Sequence, residues 1–357
     1  MQAITSGAAP IYFNQQIYSE ISAYLAENNP SSVVILTDDN TYADCLPLLL
    51  EQLEFKTEPN ILVMPAGEAF KTMEVTVSII DELSNLLTDR KALMINLGGG
   101  VVTDLGGFVA SIYKRGISYI NLPTSLLAMV DASVGGKTGV DHGMLKNQIG
   151  VINNGAMVGV DIDYLATLPE RQMRSGFAEI IKHGLISNAD YWSAVLNFDP
   201  QTLEGLDTLI RDSVVIKNEV VKQDPTEKGL RKVLNFGHTL GHAIETYSLE
   251  SDSMEDLLHG EAIAIGLVME TFLSRERFAF PEEELQKLKS IVKSYYPKVA
   301  FDQAAIEEIQ GYMLHDKKNV KGQVNFVLLR DIGQPEFDQI VDNELINRAF
   351  DFYMKEM

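Results

Sequence analysis

A single cysteine stands among 357 residues. Cys45 therefore has no partner for an internal disulfide, which fits a reducing compartment, and a cysteine-rich metal site is excluded. Basic residues are also scarce, 29 Lys and Arg against 50 Asp and Glu, for a net charge of −21. A nucleic-acid binder would need a basic face, so nucleic acid is not expected as a partner. No apolar run approaches the roughly 20 residues that cross a bilayer. The longest candidate, Ala262 to Leu273, is interrupted by Glu270. The N-terminal Met-Gln-Ala-Ile-Thr-Ser-Gly shows no basic stretch followed by an apolar core, so no secretory signal is expected. The expectation is a cytoplasmic protein that engages neither nucleic acid nor membrane.

What is present is an ordinary globular balance, 46 % hydrophobic and 22 % charged. The length suits two domains of roughly 100–200 residues each. In the first part, short apolar runs alternate with helical spacing. Ser32-Val-Val-Ile-Leu-Thr ends at the turn signal Asp38-Asp39-Asn40, and Asn60-Ile-Leu-Val-Met follows. Thr72 to Leu87 then carries apolar residues at helical spacing. Ala92-Leu-Met-Ile-Asn-Leu runs into Gly98-Gly99-Gly100, and Ser118-Tyr-Ile-Asn-Leu comes after a helix-compatible stretch. Buried apolar strands alternating with helices predict a parallel sheet in an α/β domain over 1–165. From 166 to 357 helical periodicities dominate: Gln172–Ile186, Tyr191–Asn197, Leu206–Lys222, Arg231–Tyr247, Met254–Phe278, Glu282–Ser294 and Ala304–Leu314. Only Gly322–Leu329 reads as a strand there.

Three local patterns carry chemistry. Gly98 to Gly107 follows a predicted strand and opens a predicted helix. Its glycines let the backbone approach a pyrophosphate, and the helix start offers N–H groups. It is not G-x-G-x-x-G, and a plain glycine turn remains the other reading. Asp38 and Asn40 stand where a ribose could be bound, or where a turn is simply made. Second, His238 and His242 are four apart and share a helix face. His259 opens a further segment and Glu179 sits among apolar positions, so a carboxylate with imidazoles can form a Zn²⁺ set. Three of only six histidines lie within Asn235–Glu261. Spacing leaves open which of His238 and His242 ligates. Third, cations sit beside glycines or candidate ligands. They are Lys137 in Asp131-Ala-Ser-Val-Gly-Gly-Lys-Thr-Gly, Lys146 before Asn147, Lys182 three residues after Glu179, and Lys217, Arg231 and Lys317. Such clusters can admit an anion that the overall charge repels.

Taken together, the segments Pro65–Lys71, Gly98–Gly107, Tyr113–Gly116, Leu122–Ala128, Asp131–Gly139, Lys146–Gly150, Phe177–Gly184, Arg231–His242 and His259–Glu261 resemble 3-dehydroquinate synthases, in order and over most of the chain. The resemblance implies a Rossmann-like domain that binds NAD, and a mostly helical domain that holds a divalent metal, Zn²⁺ or Co²⁺. The assembly it implies is commonly a homodimer. It implies Glu179, His238 and His259 as metal ligands, with His242 in the proton-transfer shell. Asp38, Asn40, Glu68, Lys71, Gly99, Gly100, Asp104, Thr124 and Thr138 would contact the cofactor. Asp131, Lys137, Lys146, Asn147, Lys182, Lys217, Arg231, Asn235 and Lys317 would surround a phosphorylated sugar acid, and Arg115 would reach the neighbouring subunit's phosphate site. The chain departs from the family pattern at Met129, where Gln is frequent, at Ala132 for Ser, at Asp141 for Asn and at Ser125 for Thr.

The reaction so implied oxidises a ring hydroxyl of a seven-carbon keto-sugar acid phosphate, eliminates phosphate, returns the hydride and closes a carbocycle by an internal aldol step. Two neighbouring readings share the parts. A metal-dependent polyol or alcohol dehydrogenase would need fewer cations than Lys137, Lys146, Lys182, Lys217 and Arg231 supply. A sister sugar-phosphate cyclase would act on a substrate without a carboxylate, whereas Lys217, Arg231 and Asn235 together follow the dehydroquinate pattern. A non-enzymatic NAD- or metal-binding protein would have little use for so many catalytic-type groups.

Overall fold

Four of the apolar runs become neighbouring strands of one parallel sheet. The computed structural model describes residues 2–5, 9–143, 145–200, 202–251, 254–314 and 324–357. They form two compact units, Met1–Met173 with Lys217–Lys222, and Arg174–Ile216 with Gln223–Met357.

The first unit contains β1 (Ile11–Phe13), α1 (Gln16–Asn28), β2 (Val33–Asp38), α2 (Asp39–Asp44), α3 (Leu46–Gln52), β3 (Asn60–Met64), α4 (Met73–Asn85), β4 (Leu93–Gly98), α5 (Gly100–Ile112), β5 (Ser118–Pro123), β6 (Lys137–His142), β7 (Leu145–Ile152) and β8 (Met157–Val160). The six-stranded sheet has the order β1-β8-β5-β4-β2-β3, and every pairing in it is parallel. From β2 the chain moves outward to β3, then returns to the other flank of β2 for β4 and continues away to β5. The β2/β4 seam is thus the topological switch point, and in open α/β sheets ligands bind at the carboxyl ends of strands there. Asp38 ends β2 and Gly98 ends β4. Helix α5 is apolar nearly all round and is buried from Val102 to Ala110 save Asp104, as a helix at the centre of a core must be. The sequence reading finds β2 to β5. It misses the short strands β1 and β8 and the glycine-containing antiparallel hairpin β6–β7.

The second unit is built from α6 (Glu170–Ser187) from Arg174 onward, α7 (Ala189–Asn197), α8 (Leu206–Gln223) up to Ile216, α9 (His238–Glu250), α10 (His259–Phe278), α11 (Glu282–Tyr295), α12 (Gln303–Met313), the antiparallel pair β9 (Asn325–Leu329) and β10 (Pro335–Ile340), and α13 (Asn343–Glu356). Helix α10 is buried continuously from Gly260 to Ser274, and α9, α11, α13 and β9 pack on it. Two elements differ from expectation. The stretch Arg231–Tyr247 is not one helix. Leu230–Asn235 makes a tight 3₁₀ segment, and Gly237, at φ +79°, turns the chain before α9 begins. The helix expected from Met254 starts only at His259, because Leu258 is extended. Strand β10 and helix α13 escape the sequence reading, and the described part of the expected strand becomes β9.

Candidate active site

The second unit gathers its donors through glycine-mediated closeness. A Cβ on Gly241 would stand 3.2 Å from Ile263 Cα, and one on Gly260 would stand 1.8 Å from the Ser175 carbonyl oxygen. Helices α6, α9 and α10 therefore approach backbone to backbone, bringing Glu179, His238 and His259 together. Glu179 is fully buried. Its Oε1 lies 3.4 Å from His238 Nε2 and 3.6 Å from His259 Nε2. His242 is one turn beyond His238, and ligand atoms of the three histidines all fall within 4.8 Å of one another.

The outer nitrogens are committed. His238 Nδ1 donates to the Phe236 carbonyl at 3.0 Å, and His259 Nδ1 donates to Glu245 at 3.0 Å. In the neutral rings each Nε2 then carries its lone pair toward Glu179. Ligands around a tetrahedral ion at about 2.0–2.1 Å lie about 3.3–3.4 Å from one another. The observed spacings match that edge, and imidazole with carboxylate is the donor chemistry of a divalent transition metal. The residues fit such an ion. Burial opposes a charge on His259, but Glu245 and Glu179 outweigh it and raise the imidazole to about 10. The same negative cradle suits a dication, which must displace that proton.

Two buried carboxylates steady this arrangement. Glu270 accepts from the backbone N–H groups of Gly237 (2.7 Å), Thr239 (3.1 Å) and Leu240 (3.1 Å), capping the first turn of α9. Glu261 accepts from Leu258 N at 2.8 Å and fixes the start of α10. Nearby polar groups are similarly held. Lys182, almost wholly buried, is ion-paired with Glu179. Asn235 donates to Glu227 at 2.7 Å. Arg231 donates through its guanidinium to the Pro225 carbonyl at 2.8 Å and through its backbone to Asp224 at 3.1 Å.

In the first unit the glycine loop lies at the switch point. Gly99 precedes α5, whose first-turn N–H groups have no intrahelical acceptors. A Cβ at Gly99 would meet Ser125 Oγ at 3.3 Å, and one at Gly100 would meet Ala132 Cβ at 3.3 Å. Two of the departures from the family pattern thus pack directly on the loop. Thr124 donates its N–H to Gly98 O at 3.0 Å, and the Thr138 methyl fills the space that a side chain at Gly107 would need. Lys71 is buried and joins Asp104 (2.6 Å) to Asn147 (2.7 Å). Burial alone would lower its pKa, but Asp104 and Glu68 drive it upward, so the ammonium stays charged. Lys146 lies 3.1 Å from Glu68 and 3.3 Å from Asp141. The Asp141 carboxylate, a third departure, also accepts from Asn147 N at 2.6 Å. Lys217 is paired with Asp131 at 2.7 Å.

Other predicted residues have simpler surroundings. Asp38 caps α2, accepting from Thr41 N at 2.8 Å. Asn40 and Glu68 are exposed, as is Lys137 on β6. Arg115 projects from three successive left-handed residues, Lys114, Arg115 and Gly116. Lys317 lies outside the described residues. Sequence reasoning missed Glu245, Glu261 as a cap, Glu227 and Glu270. Glu270 alone left a signal, a lone carboxylate in an otherwise apolar helix, which burial obliges to find hydrogen-bond donors.

A dinucleotide-type sheet with a glycine loop at its switch point, and a buried imidazole–carboxylate donor set, are the equipment of a metal-dependent enzyme that uses a nicotinamide cofactor. The match with known proteins is narrower. The family models described as 3-dehydroquinate synthase N-terminal and C-terminal match residues 61–175 and 176–319. The 3-dehydroquinate synthase of Parabacteroides distasonis is 42 % identical over 95 % of this chain and 96 % of its own length, and that of Acidithiobacillus ferrooxidans is 37 % identical over 97 % and 95 %. The 2-epi-5-epi-valiolone synthase of Streptomyces hygroscopicus subsp. jinggangensis, solved with NAD⁺ and Zn²⁺ bound, superposes with a TM-score of 0.85 at 25 % identity, covering 100 % of this chain and 99 % of that one. The chain belongs to the 3-dehydroquinate synthase family and is an enzyme of its carbon–oxygen lyase class.

Proposed function

We propose that the chain performs the reaction of its family on 3-deoxy-D-arabino-heptulosonate 7-phosphate, yielding 3-dehydroquinate and inorganic phosphate, with Glu179, His238 and His259 holding a divalent ion. The observation that carries this assignment is the buried carboxylate with two Nε2 atoms at 3.4 and 3.6 Å and both outer nitrogens already committed. When bound, NAD⁺ would accept a hydride from the carbon that bears a ring hydroxyl and later return it, and the ion, Zn²⁺ or Co²⁺, would polarise that hydroxyl's oxygen.

The chain's own residues do the rest. Asp38, Asn40, Glu68, Lys71, Gly99, Gly100, Asp104, Thr124 and Thr138 bind and orient the cofactor, the glycines by admitting its pyrophosphate to the start of α5. Lys137, Lys146 and Arg231 neutralise phosphate and carboxylate, Arg231 as a planar fork. Asn147 and Asn235 orient substrate hydroxyls. Lys217, held by Asp131, and Lys182, held by Glu179, present fixed positive charge. His242 moves a proton at its imidazole. We further assign a homodimer, in which the exposed Arg115 reaches the partner's phosphate site, and a cytoplasmic location in keeping with one cysteine in 357 residues.

The test follows phosphate release and NADH absorbance together, with metal-loaded protein, NAD⁺ and the heptulosonate phosphate. NAD-dependent phosphate release without net NADH is expected. NADH without phosphate would instead support a polyol or alcohol dehydrogenase.

A further inference from the structure

We propose that Glu245 is the positioning residue for His259, so that α9 both supplies one metal ligand and aims the ligand supplied by α10. The inference rests on the ligand set proposed above. His238, His242 and Glu245 are spaced i, i+4 and i+7, which places all three along one face of α9. Glu245 is buried, and its Oε2 lies 3.0 Å from His259 Nδ1. A carboxylate can only accept there, so Nδ1 keeps its proton, and once an ion displaces the proton on Nε2 the lone pair left there faces the ion and Glu179.

The two histidines differ in what fixes them. The His238 ring is held by a main-chain carbonyl two residues away, at Phe236, which side-chain substitution leaves in place. The His259 ring is held by a side chain from another helix. His259 is also the less enclosed of the two, with 26 % of its side chain exposed against 9 % for His238. It stands at the first position of α10, where less of the helix packs around it. Without Glu245 its ring can rotate about χ2 and can carry the proton on either nitrogen. With Glu245 the ring has one tautomer and one direction.

The experiment measures Zn²⁺ affinity of the full chain by competition with a chromogenic chelator, for Glu245→Ala, Glu245→Gln and His259→Ala. Loss of an outer-shell partner of a ligating histidine typically weakens metal binding roughly 10–100-fold, and Glu245→Ala is expected in that range. Glu245→Gln, whose amide oxygen still accepts from Nδ1–H, is expected between Ala and the native chain. Histidine-ring ¹⁵N spectra of the Zn²⁺-loaded proteins should show one His259 tautomer in the native chain and a mixture in Glu245→Ala, a change that a general loss of packing would not produce. Native affinity with a single Nδ1–H tautomer in Glu245→Ala would overturn the positioning role while leaving the ligand set intact if His259→Ala loses the metal. Native affinity in His259→Ala would overturn the ligand set itself.

Discussion

Gly266 lies so close to Gly237 that a Cβ added to it would stand 2.0 Å from the Gly237 carbonyl oxygen. No rotamer relieves a clash between Cβ and main chain, so Gly266→Ala must push α10 away from the start of α9. Overpacking of this kind costs about 1–3 kcal/mol. Thermal unfolding of the metal-free protein should show a clearly lowered Tm, and metal affinity should fall with it. A native Tm would mean that the two helices can slide apart freely.

His259→Ala should lose bound metal and turnover together. Metal content after dialysis, measured beside phosphate release, checks this. Full metal with full turnover would remove His259 from the ligand set.

Lys137→Ala should behave in the opposite way. The residue is exposed on β6 and is not part of the donor set, so metal content should stay native while kcat/KM falls. Removal of a charge-assisted hydrogen bond to an anion costs about 1.5–3 kcal/mol, or about 10- to 150-fold. An unchanged kcat/KM at saturating NAD would place Lys137 outside the substrate's reach.

Lys71 and Asp104 are 5 % and 16 % exposed at their side chains, and breaking one partner of such a pair strands the other. Lys71→Met should destabilise the metal- and cofactor-free protein by about 3–5 kcal/mol. Asp104→Asn added to it should recover part of the loss. Urea unfolding of the native chain, the two single variants and the double variant reads the difference, and additive losses would show that the pair is not coupled.

Burial pushes the Cys45 thiol up from about 9 to about 11. The folded state therefore keeps its proton longer than the unfolded chain does. The stability this contributes is whole below pH 9 and is lost as pH rises toward 11. At pH 8 the thiolate is scarce and enclosed, so alkylation by iodoacetamide should be far slower in the native protein than in urea. Equal rates would show that Cys45 is accessible.

Much of this was legible from spacing. Runs such as Val33–Asp38 and Leu93–Gly98 are buried on both faces of a parallel sheet, and so appear as unbroken apolar stretches. The hairpin Lys137–Ile152 is largely exposed and glycine-bearing, and gives no such stretch. The break at Gly237 was hidden because the apolar periodicity continues through it; only the left-handed φ at the point where Leu267 crowds the backbone demands the turn. His238 and His242 declared a shared face through their spacing of four. Glu245 gave no such sign, since its partner His259 lies on another helix, and only the tertiary approach of α9 and α10 joins them.

The glycine crossing of α9 and α10 has a bearing on which ions the centre will tolerate. The span between His238 and His259 is set where α9 and α10 touch main chain to main chain, Gly266 against the Gly237 carbonyl, with the Leu267 and Ile263 side chains seated on Gly237 and Gly241. An ion of larger radius would have to spread two helix axes, and with them the core wrapped around α10. With Glu179, His238 and His259 as the proposed ligands, that crossing would gauge ionic size largely through the main chain, and discrimination against a bulky dication such as Ca²⁺ should outlast substitution of most side chains around them.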